Sequence, residues 1–396
     1  MLVFTLLSII FWLSFAALLW TYFGYPLLMY IRSKVFPAPI RKDPNLQPSI
    51  TMLIPAYNEA DVIRRKLENT VAIDYPKDKF EVLVIDDGST DDTVKIIEEF
   101  ADKGITLLRQ PQRGGKMGAV NMGFQNAKGE IVVLSDASPN YEASSLKILM
   151  QPFADEKVGV VVGTLAVWDA TNAVAKPAGL YWKYEAALRK WESRTGNTVA
   201  VHGNMFAVRR QLHRPLKTGT VNDEFSIAME AIRQGYRVVY EPNAISYDDA
   251  SSSMKDEFNR RVRINAGRFQ ALFSAGYLRA PNLETSFRLF SHKLLRPLTP
   301  VFMVLTLVTN LLAFLFPNDG NPVALNGLLG VVLLLGQLAF YLLSYLGWLA
   351  EKQGRHLKLL NVPYYFTSSN LAALVGMWRW IRGTQKVTWQ KREAAN

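Results

Sequence analysis

Three long stretches of this chain contain no charged residue, and no other feature limits its fold as much. Met1–Ile31, Leu298–Phe316 and Val323–Ala350 are free of Asp, Glu, Lys and Arg, with Asp319 lying between the last two. A helix needs about 20 apolar residues to cross a bilayer core, so each stretch is long enough to span. Between them, Arg32–Lys293 has the mixed composition of a soluble domain. The first stretch could instead be a cleaved secretory signal. It lacks a basic leading region and a clear small-residue cleavage site, and its apolar run is too long, so it predicts an anchor. Arg32, Lys34, Arg41 and Lys42 follow it directly. Basic flanks stay in the cytosol, which puts the next domain on that side.

The segment Val362–Ile381 is apolar but carries Thr367, Ser368, Ser369, Asn370 and Arg379. A span there would export Arg382, Lys386, Lys391 and Arg392, against the charge rule. Residues 351–396 therefore read as an interfacial or re-entrant element with a basic cytosolic tail. The net charge of +11 fits retained basic loops and contact with anionic membrane lipids, or a site for a polyanionic substrate. No helix-turn-helix, zinc or RNA-binding signature is present, which argues against nucleic acid. With no cysteine, no disulfide can form, as suits a cytosolic domain.

Residues 32–48 form a linker with four prolines, after which strands and helices alternate. Apolar runs at Ser49–Pro55, Phe80–Ile85, Ile105–Leu108 and Glu130–Ser135 read as buried strands. Ala60–Ile73, Ser89–Gly104 and Lys116–Ala127 read as the helices between them. This order predicts an α/β domain over 49–280, with a parallel sheet and helices on both faces. Ligands then bind beyond the carboxyl ends of the strands. Tyr57, Asn58 and Glu59, then Asp86, Asp87 and Gly88, then Asp136 all fall at that edge. Further on, Val158–Val167 and Thr198–Val208 suggest strands, and Tyr181–Arg194 and Glu224–Gln234 suggest helices. Lys255–Ala275 is a basic amphipathic helix ended by Gly276, and residues 281–297 contain a similar one at Ser286–Leu295. Such helices beside a span lie in the membrane interface. Residues 1–31 and 298–350 supply the first and the two later transmembrane helices.

The ordered strings IPAYNE (54–59), VIDDGSTDDT (84–93), GGKMGAVN (114–121), LSDAS (134–138), HGNMFAVRR (202–210), NDEF (222–225) and RRVRINAGR (260–268) make a recognisable set. Together with the apolar flanks, they resemble the membrane-embedded family 2 glycosyltransferases, which include cellulose, chitin, hyaluronan and poly-N-acetylglucosamine synthases. The resemblance runs over about residues 51–270. It implies a GT-A fold, a Rossmann-like nucleotide-diphospho-sugar domain, with a UDP-sugar donor and a glycan or lipid acceptor.

Carried over by motif, Tyr57 would pack near the base, Glu59 would bind the ribose, and Asp87 beside Asp86 would accept from the base N–H. Capping explains Asp91 and Asp92, but two adjacent ionised acids at a strand end repel unless each is used. Lys116 and Asn121, at a helix start, suit a diphosphate, as does Arg263. The same glycines also fit a plain flexible turn. Asp136 sits where the family holds Mg²⁺ or Mn²⁺, although Ser138 replaces the second carboxylate and Asp136 alone could be a turn residue before Pro139. Displacement at an anomeric carbon needs a base for the acceptor hydroxyl. The resemblance, aligned on Gly235–Tyr236, puts Glu224 at the family's catalytic Asp and so implies that role for it, with Asp223 as the close alternative, and an ordinary helix start would also use both acids. His202, Gly203, Asn204 and Arg260 fall on the acceptor side, with His202 read first as a structural histidine. Polymerising members carry Trp where this chain has Ile264, so an aromatic platform is missing. Val387-Thr388-Trp389 resembles a segment that closes over the nucleotide. Three functions follow as alternatives: glycan extension, transfer of one sugar to a lipid, and a non-enzymatic scaffold.

Overall fold

Every residue of Ile50–Ala56 (β1) is buried, as a strand covered on both faces must be. The computed structural model describes residues 1–167, 175–249, 253–317, 321–355 and 357–385. The other strands are β2 (Phe80–Asp86), β3 (Ile105–Arg109), β4 (Ile131–Leu134), β5 (Asn140–Tyr141), β6 (Val158–Val167), β7 (Phe206–Arg209) and β8 (Arg237–Asp248). Among the described residues these eight form one sheet in the order β3-β2-β1-β4-β7-β6-β8-β5. Met52, Ile54, Val84, Ile131 and Val133 pack with Ile63 and Leu67 of the helix Ala60–Val71 in the main core.

The sheet is parallel from β3 to β4, as the alternation predicts. Beyond β4, where the helix–strand alternation in the sequence stops, the sheet becomes mixed. β7 runs antiparallel to both β4 and β6, β6 runs parallel to β8, and β5 is antiparallel to β8. Antiparallel neighbours need no crossover of fixed hand, so the chain re-enters through turns that leave little periodic pattern. The long strand β8 has no counterpart in the sequence reading, because Pro242 interrupts its apolar run.

The chain divides into two units. Met29–Met254 with Gln270–Arg288 holds the sheet, and Met1–Leu28, Lys255–Phe269 and Leu289–Thr384 form the other. Within the sheet unit, the fully buried Arg288 donates to the carbonyls of Glu192, Thr195 and Asn197. Among the described residues, three helices are long and apolar enough to cross a bilayer: Leu2–Val35, Leu283–Ala313 and Leu328–Lys352. Ser286–Leu295 forms part of the second of these. Lys358–Ile381 is a continuous helix of 24 residues with Pro363 inside it. In the helix Met254–Phe269, Arg260 and Arg261 both pair with buried Glu257, at 2.8 and 2.7 Å. Arg263 lies on the same helix. Val387–Trp389 and the tail lie outside the described residues.

Candidate active site

The carboxyl ends of β1 and β2 are tied together. Asn58 takes a left-handed conformation, φ 54°, which a short polar side chain tolerates. Its Oδ1 accepts from the Thr90 amide at 2.8 Å and its own amide donates to Ser89 Oγ at 3.0 Å. Asp86 accepts from the amides of Gly88 and Ser89, so it serves its own turn. Asp91 Oδ1 accepts from the Thr93 amide at 3.0 Å, an Asx turn just ahead of the next helix, whose N-cap residue Asp92 makes no side-chain cap bond. Asp87 reaches across the edge instead. Its Oδ1 accepts from the amides of Gly114 and Gly115, at 2.8 and 3.0 Å, and from Gln110 Nε2 at 2.7 Å. Gly115 has φ 70°, which turns both amides the same way. Asp87 Oδ2 is buried without a hydrogen-bond partner, 3.8 Å from Arg113 Nε. The Arg113 guanidinium lies 3.7 Å from the centre of the Tyr57 ring. Burial raises the Asp87 pKa, against the glycine amides and Arg113, which lower it. Glu59, on the same loop, donates its amide to Thr93 Oγ1 at 2.8 Å.

Lys116 stands in the first turn of the helix Gly115–Asn126. Its Nζ is 3.0 Å from Asp136 Oδ1, 3.1 Å from Asp223 Oδ2 and 2.8 Å from Glu224 Oε1. Asp136 follows β4, and the two other acids open the helix Asp223–Arg233. One ammonium thus gathers acids separated by nearly ninety positions of chain. Asp223 is 3 % exposed, Glu224 13 % and Asp136 38 %, so Asp136 is the outermost. Burial, and then Asp223 beside it, raise Glu224 far above the usual carboxylate range. Burial alone would depress Lys116, but the three carboxylates outweigh it and hold the amine well above its ordinary value.

The turn His202–Asn204 closes one side. A Cβ added at Gly203 would stand 2.0 Å from Glu224 Oε1 and 3.4 Å from Asp136 Oδ2, so the backbone itself abuts both acids. Asn204 Nδ2 donates to Asp248 Oδ2 at 3.1 Å. His202 Nε2 lies 3.0 Å from the Gly163 carbonyl, and its Nδ1 is buried without a partner. Burial, with Arg189 nearby, pushes this imidazole down to about 3, so it is neutral near pH 7 and donates its one N–H to the Gly163 carbonyl. Asn121 spends both ends of its amide on the backbone of Leu216, at 2.9 and 3.1 Å, and thereby fixes the loop leading to Asp223.

The family described as glycosyl transferase family 2 matches residues 51–216. The chain carries a family 2 glycosyltransferase domain. Poly-beta-1,6-N-acetyl-D-glucosamine synthase of Staphylococcus aureus (strain MSSA476) is 24 % identical over 229 residues, covering 56 % of this chain and 55 % of the relative. Beta-monoglucosyldiacylglycerol synthase of Nostoc sp. (strain PCC 7120 / SAG 25.82 / UTEX 2576) is 34 % identical over 176 residues, 41 % of this chain and 36 % of the relative. This chain thus spans about half or less of the length of either curated relative. The solved structure of mannosyltransferase PcManGT from Pyrobaculum calidifontis, in complex with GDP-Man and Mn2+, covers 94 % of this chain and 99 % of its own. Its TM-score is 0.72 at 24 % identity, which establishes the GT-A fold.

In this family 2 domain, no group of three His, Asp or Glu side chains among the described residues makes a ready-made metal cage. The central position between the acids belongs to Lys116. Of the three acids Asp136 is the most exposed, and it is the one that could hold a divalent ion with phosphate oxygens supplying the rest of the shell. Sequence reasoning passed over Arg113 and Gln110, which brace Asp87 and Tyr57. Arg113 directly precedes the glycine turn, and that adjacency was the signal available. Arg260 and Arg263 belong to the other unit.

Proposed function

We propose that this chain transfers a sugar, with inversion, from a nucleoside diphosphate donor to an acceptor at the membrane, its domain facing the cytosol. The observation that carries this is Lys116 meeting Asp136, Asp223 and Glu224 at about 3 Å. Glu224 takes the proton of the acceptor hydroxyl. The freed oxygen attacks the anomeric carbon, the bond from that carbon to the diphosphate oxygen breaks, and the diphosphate leaves with the electron pair. Lys116 meets that charge. A bound Mg²⁺ or Mn²⁺, held by Asp136, would neutralise part of it. Asp87, Arg113 and Tyr57 line the nucleoside side, and Glu59 lies on the loop assigned to the ribose. UDP is the first donor to try, on the family resemblance. The relative from Staphylococcus supports glycan extension as the acceptor chemistry.

A second reading, transfer of one sugar to a membrane lipid, is favoured by Ile264 in place of a stacking Trp and by the 34 % identity to a glycolipid synthase. Labelled UDP- and GDP-sugars, supplied to the full chain in lipid with Mn²⁺, separate the two. A ladder of products means polymer, one lipid adduct means glycolipid, and no transfer from any donor overturns both.

Two results follow from the geometry. Gly203→Ala should lower kcat about a hundredfold, since a methyl that displaces Glu224 by about 1 Å spoils the attack geometry. Thermal melting should stay near wild type, and unchanged turnover would remove Glu224 from the site. The base works as carboxylate, so activity rises with pH as Glu224 loses its proton. Because its pKa is raised, the acid limb of the kcat/KM profile should fall well above the ordinary carboxylate range. A limb near pH 4 would contradict the assignment.

A further inference from the structure

Lys66 is fully buried in the middle of the helix Ala60–Val71. A methionine of similar length would fill that space without the cost of desolvating an amine. Among the described residues no carboxylate lies within ion-pair distance of it. Instead its Nζ donates to the Pro139 carbonyl at 2.7 Å and stands 4.2 Å from the centre of the Tyr141 ring. Burial pulls this amine down to about 7, opposed by the charges of Asp136 and then Asp248. Pro139 and Tyr141 end the loop that begins at Asp136.

Three residues on, Asn69 continues the same face of the helix. Its Nδ2 donates to the Tyr141 carbonyl at 2.9 Å, and its Oδ1 accepts from the Tyr141 amide at 2.7 Å. The Tyr141 hydroxyl donates to the Asn204 carbonyl at 2.8 Å. Asn204 follows Gly203, whose backbone abuts Glu224. One helix face therefore holds both the loop bearing Asp136 and, through Tyr141, the turn against which Glu224 rests.

We propose that Lys66 is a positioning residue for sugar transfer, setting the Asp136–Pro139 loop directly and the Gly203–Asn204 turn through Tyr141. This rests on the glycosyltransferase reading above. A buried amine without an ion-pair partner is costly to stability, so its presence marks a demand other than folding. Lys66 is fully buried, out of reach of donor and acceptor, and acts through the loop.

The test is a double-mutant cycle on the full chain in lipid, with transfer from the donor that wild type uses. Lys66→Met should lower kcat about thirtyfold with a melting temperature near wild type, because the desolvation cost it removes offsets the donor lost to the buried Pro139 carbonyl. Tyr141→Phe should lower kcat about tenfold. Together they should cost less than the product of the two, because they act on one framework. A purely structural lysine would lower the melting temperature and leave kcat alone. Retention of most of wild-type kcat by a folded Lys66→Met, or losses that simply multiply, overturns the proposal. Should Lys66→Met not fold, Tyr141→Phe decides, and an unchanged kcat there overturns it equally. A wild type that uses no donor defeats the functional reading and this inference with it.

Discussion

Glu224→Gln should lower kcat about a thousandfold and leave the protein folded. Loss of a positioned general base costs roughly 10²–10⁴ in rate, and glutamine keeps the shape while removing the basic oxygen. Its amide oxygen can still accept from Lys116, so that contact survives. Three carboxylates share one ammonium here, and neutralising one of them relieves like-charge repulsion. The melting temperature should therefore match or exceed wild type. Asp223→Asn is the control that separates the two adjacent acids. It should cost only about tenfold, since Asp223 is the more deeply buried and less able to reach an acceptor. A larger loss from Asp223→Asn than from Glu224→Gln would exchange their roles.

Lys116→Met should damage both stability and turnover. It leaves three acids facing one another without the ammonium that gathers them. Removing one partner of a buried pair costs about 3–5 kcal/mol, and Lys116 is 23 % exposed, so the lower figure applies. The deficit depends on pH with a definite sign. Glu224, whose pKa is raised in the folded state, favours folding while protonated, and that contribution is lost as pH rises through the raised value. The variant should therefore be close to wild type near pH 5 and clearly weaker near pH 8. Denaturant titrations at both values in the same detergent would check it. An equal deficit at both would mean that Lys116 acts by packing. Donor turnover should fall at least a hundredfold, because the leaving diphosphate loses its fixed cation.

The parallel half of the sheet was legible because its strands are buried on both faces and separated by helices of clear period. The mixed half was legible only in part: β6 was read at Val158–Val167 and most of β7 falls within Thr198–Val208, but β5 has only two residues and Pro242 hides β8. Asp136 and Glu224 could be found by motif and by their places at a strand end and a helix start. What spacing along a chain does not convey is that two helix N-termini face each other. For that reason Lys116 reads as a phosphate ligand in the sequence and as the counter-ion of three acids in the fold. Asn121 shows the reverse: it looked free for a ligand, yet its amide is spent on Leu216. Lys66 follows Arg64 and Arg65, and such a basic run ordinarily marks a solvated helix face. Only the fold turns that one side chain inward.

The most direct measurement is release of nucleoside diphosphate by the purified full chain in lipid, from a panel of UDP- and GDP-sugars, with Mn²⁺ or Mg²⁺ and with EDTA. The acids and Lys116 predict release from at least one donor, suppressed by EDTA and by Asp136→Asn. Release by Asp136→Asn and Glu224→Gln at the wild-type rate would contradict the account.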